Sequence, residues 1–157
     1  MNQDYKSYYN EKLKEGIEYQ DFLTKVLLKL GIVLNGYSSK KYQYSEGENL
    51  LGAEIKYQGK YKEYRSLVIE TEEKAHPDNY KYVESGIKRF DNSWLFITGD
   101  YQTIYIFSIK QLRELSKLNK YKTYEKPTSK GFLLPIDDAE KYCIRKIEME
   151  VKCAKRG

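Results

Sequence analysis

GENLLGAEIKYQ (residues 47–58) and SLVIETEEK (residues 66–74) decide the fold of this 157-residue chain. In the first stretch Glu54, Lys56 and Gln58 alternate with Ala53, Ile55 and Tyr57; in the second Val68, Glu70, Glu72 and Lys74 alternate with Leu67, Ile69 and Thr71. Side chains two apart share a face of a β-strand, so both stretches predict strands that gather acids and a lysine on one side. Acids so placed repel and lower strand propensity. A chain that keeps them is expected to hold a cation there.

Outward from this pair, Tyr19, Phe22, Leu23, Val26, Leu27 and Leu30 recur at helical spacing, with Gly31 as a cap. Glu18 lies one turn before Phe22 on the same stripe, where it either bends into a site over the sheet or complements the helix dipole. Residues 1–14 read as a loose lead-in or a short helix, and 35–46 as an edge-type strand after an Asn-Gly turn. The connection 57–66 sets Lys60, Lys62 and Arg65 among Tyr57, Tyr61 and Tyr64, which suits a nucleic-acid backbone or, equally, a solvated hairpin loop. Lys88 and Arg89 are further candidates for that role. Beyond the polar run 75–93, WLFIT (94–98) reads as a buried strand and TIYIFS (103–108) as the next. Ser108 is an N-cap for IKQLRELSKL. Residues 119–130 form a basic loop, GFLLPI an edge strand with Pro135 near its end, and 137–152 a short helix or last strand. Residues 153–157 look frayed. The expectation is one α/β domain over 1–157, helices packed on a mixed central sheet.

Composition narrows the class. The chain is 40% apolar and 32% charged, as in a globular protein. Its 17 tyrosines against 5 phenylalanines imply many half-exposed phenols, apt for stacking on bases or sugars. Charge is uneven: residues 1–100 carry 15 basic and 16 acidic groups, residues 101–157 carry 13 and 7. A basic tail beside an acidic cluster fits an enzyme that holds phosphates with one part and a metal with the other. Cys143 and Cys153 are too few for a disulfide scaffold. With no apolar leader and no 18-residue apolar run, a cytoplasmic protein without a membrane partner is expected.

Two or three carboxylates from separate elements can hold Mg²⁺ (or Mn²⁺) while leaving places for water and phosphate oxygens. The ion lowers the pKa of bound water and offsets charge developing on phosphorus. A lone histidine, His76, argues against multi-histidine zinc hydrolysis, and no GxxxxGK[ST], GxGxxG or GxSxG occurs. Glu54-x-Lys56 is formally an E-x-K, as are Glu72-x-Lys74 and Glu150-x-Lys152. Glu48 in GEN either reaches a metal from its loop or only turns the chain. Asp100 and His76 read as turn and loop residues.

A helix bearing an acid, an acid on one strand and E-x-E-x-K on the next together resemble the PD-(D/E)xK nuclease superfamily, the restriction-endonuclease-like fold. GENLLGAEIKYQ…LVIETEEK…YVESGIKR…DNSWLFITGDYQTIYIFSIKQLREL is similar to small phage-encoded proteins of that kind. The resemblance covers about residues 15–118. It implies a core sheet flanked by helices and a Mg²⁺-dependent cut of DNA that leaves a 5′-phosphate, by a homodimer where two strands are cut. It makes Glu54 the acid of the first motif strand, Glu70 the first acid of the second, and Glu18 the helix acid. The motif lysine falls on Glu72. Lys74, through Glu72-x-Lys74, and Lys56, from the neighbouring strand, are the two substitutes. Gln58 stands where related sequences favour an acid. That departure supports a second reading, a nuclease fold retained as a binding protein, such as a phage inhibitor of a host defence nuclease.

Overall fold

The computed structural model describes residues 3–150, so the expectations for 153–157 and for Lys152 lie outside it. The helix expected from Tyr19 begins much earlier. Helix α1 (Gln3–Lys29) takes in the stretch that sequence patterning leaves loose. Its first half is polar, but pairs such as Lys12–Glu15 and Lys14–Glu18 sit three or four residues apart, where helix geometry makes them neighbours. It stops at Gly31, whose φ of 77° opens the left-handed region. There the Ile32 and Gly31 amides donate back to the Leu27 and Leu28 carbonyls, a Schellman closure.

Residues 35–46 are not a strand. Lys40–Ser45 form a short helix, α2, where the Arg89 guanidinium donates to the Gln43 carbonyl at 2.8 Å. Tertiary hydrogen bonding here overrides a weak local alternation. Then follow β1 (Ala53–Tyr57), α3 (Tyr61–Tyr64), β2 (Ser66–Glu73), β3 (Val83–Glu84), a single 3₁₀ turn at Gly86–Lys88, β4 (Leu95–Gly99) and β5 (Thr103–Ser108). The chain continues with α4 (Ile109–Ser116), β6 (Thr123–Glu125), β7 (Ser129–Pro135), α5 (Ile136–Tyr142) and β8 (Arg145–Glu148). Ser108 caps α4, its hydroxyl accepting from the Gln111 amide, and Ile109, Leu112 and Leu115 are buried.

The domain is mixed α/β, but its described strands form two four-stranded sheets rather than one central sheet. The first runs β1-β4-β5-β8, with β1 parallel to β4 and the other pairs antiparallel. The second, β3-β2-β7-β6, is antiparallel throughout. Strands β1 and β2 are therefore not a hairpin: α3 redirects the chain between them, and each pairs with strands distant in sequence. β7 lies inside its sheet, not at an edge; Pro135 is tolerated because it falls at the strand's last position.

Two apolar cores follow from the alternation. Tyr19, Leu23, Val26 and Leu27 of α1 cover Ala53, Leu95, Ile97, Ile104 and Ile106 on one face of the first sheet. The opposite face, through Phe96, Tyr105 and Phe107, packs on Leu67, Ile69, Phe132 and Leu134 of the second sheet, with α4 and α5 closing the core. The β1 face that carries Glu54 and Lys56 thus turns inward, toward the second sheet. Among the described residues no helix is long and apolar enough to cross a membrane.

Candidate functional site

Gln58 joins the two sheets at this corner. Its amide oxygen accepts the Val68 N–H at 2.7 Å, and its nitrogen donates to the Val68 carbonyl at 3.0 Å and to Thr98 Oγ1 at 2.8 Å. The side chain mimics a backbone rung between β1 and β2. An aspartate would supply the acceptor but neither donor, which gives this position a structural reason for an amide.

That rung brings Glu54 of β1 to Glu70 of β2. Lys56 Nζ lies between them, 3.4 Å from Glu54 Oε1 and 3.9 Å from Glu70 Oε1. Glu54 is 3% exposed, and its Oε2 is buried with no hydrogen-bond partner. Glu70 Oε1 accepts from the Ser85 hydroxyl at 3.0 Å. Burial raises the Glu70 carboxyl above its usual range, against the opposing pull of Lys56 and Ser85. The Lys56 ammonium is held protonated above its ordinary value by Glu54, Glu70 and Glu48, which outweigh its desolvation.

Glu48 is the third acid, delivered by the loop before β1. Buried Asn49 clamps that loop: its Nδ2 donates to the Ala53 carbonyl at 2.7 Å, and its Oδ1 accepts the Ala53 N–H at 3.0 Å. Gly47 has a φ of 126°, and a Cβ there would fall 1.8 Å from Asn92 Oδ1, so only glycine fits. Burial, then the Glu54 charge, push the Glu48 carboxyl up to about 7, while Lys56 and the Ile55 amide pull it down.

Other sequence candidates go elsewhere. Glu18 is exposed on α1 and pairs with Lys14; Glu15, one turn earlier, is the α1 acid that lines the groove described below. Between Glu70 and Glu72 the β2–β7 register shifts, a bulge at Thr71, and Glu72 then lies against Lys88 at 3.9 Å. Lys74 donates to the Pro77 carbonyl and stacks over Tyr82, so Glu72-x-Lys74 is not part of the cluster. Tyr61 is 3% exposed and belongs to the core between the sheets, at the floor of the groove described below. Lys62 is tied to Asp100 at 2.9 Å, and Arg89 to Asp91 and Gln43. Arg65, exposed, ends α3 in the left-handed region, and its carbonyl accepts from Ile136. Lys60 stands on the rim of the groove.

The groove, about 880 Å³, opens beside Lys56 and Glu70. Its walls are the start of α1, the β1–α3 turn, and the β6–β7 hairpin with Tyr124, Lys126 and Ser129. Sequence reading missed the hairpin wall and Ser85. Neither carries a local signal, since both reach the cluster only through β2–β7 pairing and the Ser85–Thr71 backbone bond.

Comparison with known protein families, with curated proteins and with solved structures finds no match for this chain. Among the described residues no three acid, imidazole or thiolate groups are already gathered as a metal cage. The donor chemistry of the cluster nevertheless suits a hard divalent ion. Its ligands are carboxylates, two of them from separate strands, and Glu54 Oε2 is a buried oxygen without a donor.

Proposed function

We propose that this chain is a divalent-cation-dependent DNA endonuclease of the PD-(D/E)xK type, with Glu54 and Lys56 of β1 as its acid-x-lysine unit and Glu70 and Glu48 beside them. One observation carries the reading: Glu54 is almost fully buried, yet its Oε2 has no hydrogen-bond partner. An unsatisfied buried acceptor costs about 1–3 kcal/mol, more when charged. A fold that maintains such a group next to two further acids has a use for it.

Glu54 and Glu70, with Glu48, would hold the ion; Mg²⁺ or Mn²⁺ supplies Lewis acidity and a more acidic bound water when present. Ser85 orients Glu70 through its 3.0 Å hydrogen bond. Lys56, 40% exposed and facing the groove, offers an ammonium to a phosphate oxygen as negative charge builds in the transition state. The Asn49 clamp and the Gln58 rung keep the acids in register.

Incubation of supercoiled plasmid and branched DNA with Mn²⁺ or Mg²⁺ tests this. Wild type is expected to cut, and Glu54→Gln and Lys56→Met to lose at least a hundredfold in rate. Intact DNA with folded wild-type protein and either ion refutes it.

A specific observation favours a second reading. Lys56 already sits between Glu54 and Glu70 as an internal counter-ion, which suits a nuclease fold kept for binding, such as an inhibitor of a host defence nuclease. Under that reading Mn²⁺ leaves the melting temperature unchanged. Under the first, Mn²⁺ raises it and Glu54→Gln abolishes the rise.

A further inference from the structure

Three elements far apart in sequence each bring a solvent-accessible tyrosine and a lysine to the walls of the groove: Tyr8 and Lys12 from α1, Tyr64 and Lys60 from α3 and its cap, Tyr124 and Lys126 from β6 and the turn after it. In two of the pairs the ammonium lies over its own ring, Lys12 at 5.8 Å from the Tyr8 centroid and Lys126 at 5.7 Å from that of Tyr124. Tyr8 and Tyr64 are 58% and 67% exposed, so much of each side chain is accessible from solvent. None of these three rings belongs to an apolar core. The apolar cores lie elsewhere, between the sheets and under α1.

A tyrosine face takes a flat base, and a lysine beside it takes the adjoining phosphate. In a duplex the bases are stacked on one another and show only their edges in the grooves, so a ring platform has nothing to stack against. An unpaired base presents its whole face. Of the three acids on the lining, Glu15 is paired with Lys12 at 2.7 Å and Glu70 faces Lys56 at the groove's inner end, while Glu63 of α3 is exposed to solvent.

We infer that the groove binds a nucleic-acid strand with unpaired bases, the bases on Tyr8, Tyr64 and Tyr124, the phosphates on Lys60 and Lys126, and the backbone running toward Lys56. The direction of that path rests on the reading of the Glu54–Lys56–Glu70 cluster as a phosphodiester-cleaving centre. The binding itself does not.

Fluorescence anisotropy in EDTA, where nothing is cut, tests it with a labelled 12-nucleotide oligothymidylate, the corresponding oligouridylate and a blunt 12-base-pair duplex. Oligothymidylate is expected to bind at least tenfold more tightly than the duplex. Tyr8→Ala and Tyr64→Ala should each weaken it fivefold or more, the loss of one base stack, without changing duplex affinity. Both residues are exposed, and circular dichroism confirms that the variants are folded. Lys60→Gln and Lys126→Gln should each lower the slope of log affinity against log salt by about 0.7. Oligouridylate binding as tightly as oligothymidylate extends the ligand to RNA; weaker binding restricts it to DNA. Equal affinity for duplex and single strand, or indifference to both tyrosine substitutions, overturns the inference. Tyrosine-dependent binding without metal-dependent cutting removes the nuclease reading and leaves this one standing.

Discussion

Replacing Lys56 by methionine keeps the bulk of the side chain and removes the ammonium 3.4 Å from Glu54 Oε1 and 3.9 Å from Glu70 Oε1. Breaking a fully buried pair costs about 3–5 kcal/mol, and an exposed pair about 0–1 kcal/mol. Here the acid side chains are 4% and 18% exposed and the lysine side chain 40%, so solvent screens the pair partly and a loss of about 2 kcal/mol is expected. For a domain of this size that lowers Tm by roughly 4–8 °C. The sign with pH follows from Glu48, whose carboxyl rises from 4.5 to about 7 on folding. A raised carboxyl binds its proton more tightly in the folded state. Its stabilising contribution is complete below pH 4.5 and is lost as pH rises through 7, up to about 3 kcal/mol at 1.36 kcal/mol per pH unit. Glu70, also raised, has the same sign. Wild-type protein in EDTA is therefore expected to melt higher at pH 5 than at pH 8. The Lys56→Met deficit should be larger at pH 8, because the lost ammonium is one of the groups holding Glu48 and Glu70 down. Thermal melts of both proteins at the two pH values decide it. A deficit equal at pH 5 and pH 8 would mean that methionine merely packs badly and that the acids are not electrostatically coupled.

Glu54→Gln removes an acceptor without a donor but also the nearer partner of Lys56; the two effects oppose, so in EDTA it should melt within about 4 °C of wild type, while losing any rise produced by Mn²⁺. A melt more than 4 °C below wild type contradicts the account of Oε2. Gln58→Ala deletes three hydrogen bonds and strands the Val68 amide and carbonyl; about 2–3 kcal/mol of stability should be lost in urea titration. Gly86 has a φ of 52°, and a Cβ there would lie 2.4 Å from the Glu70 carbonyl oxygen, so Gly86→Ala should cost about 2–3 kcal/mol and displace Glu70. A Gly86→Ala protein as stable as wild type would show that β2 can move away freely.

Alternation alone was enough to read β1 and β2, to put Glu54 and Lys56 on one face and Val68 and Glu70 on one face, and to separate both from the apolar set. The apolar stripe of α1, its stop at Gly31 and the Ser108 cap were equally local, because each depends on residues within about four positions of one another. Strand partners are not local. That β1 lies beside β4 and β2 beside β7 depends on pairings 40 to 70 residues apart, and no local pattern states them. The same holds for the bulge at Thr71 that sends Glu72 to Lys88, for the burial of Tyr61, and for Lys74 turning to Tyr82. Gln58 shows the division most plainly. As a letter it looks like an acid that is missing, and as a folded side chain it is the rung joining two sheets. Sequence determined that Glu54 and Lys56 share one face of β1; only the tertiary structure decided that Glu70 meets them and Glu72 does not, because that choice depends on burying two apolar surfaces at once.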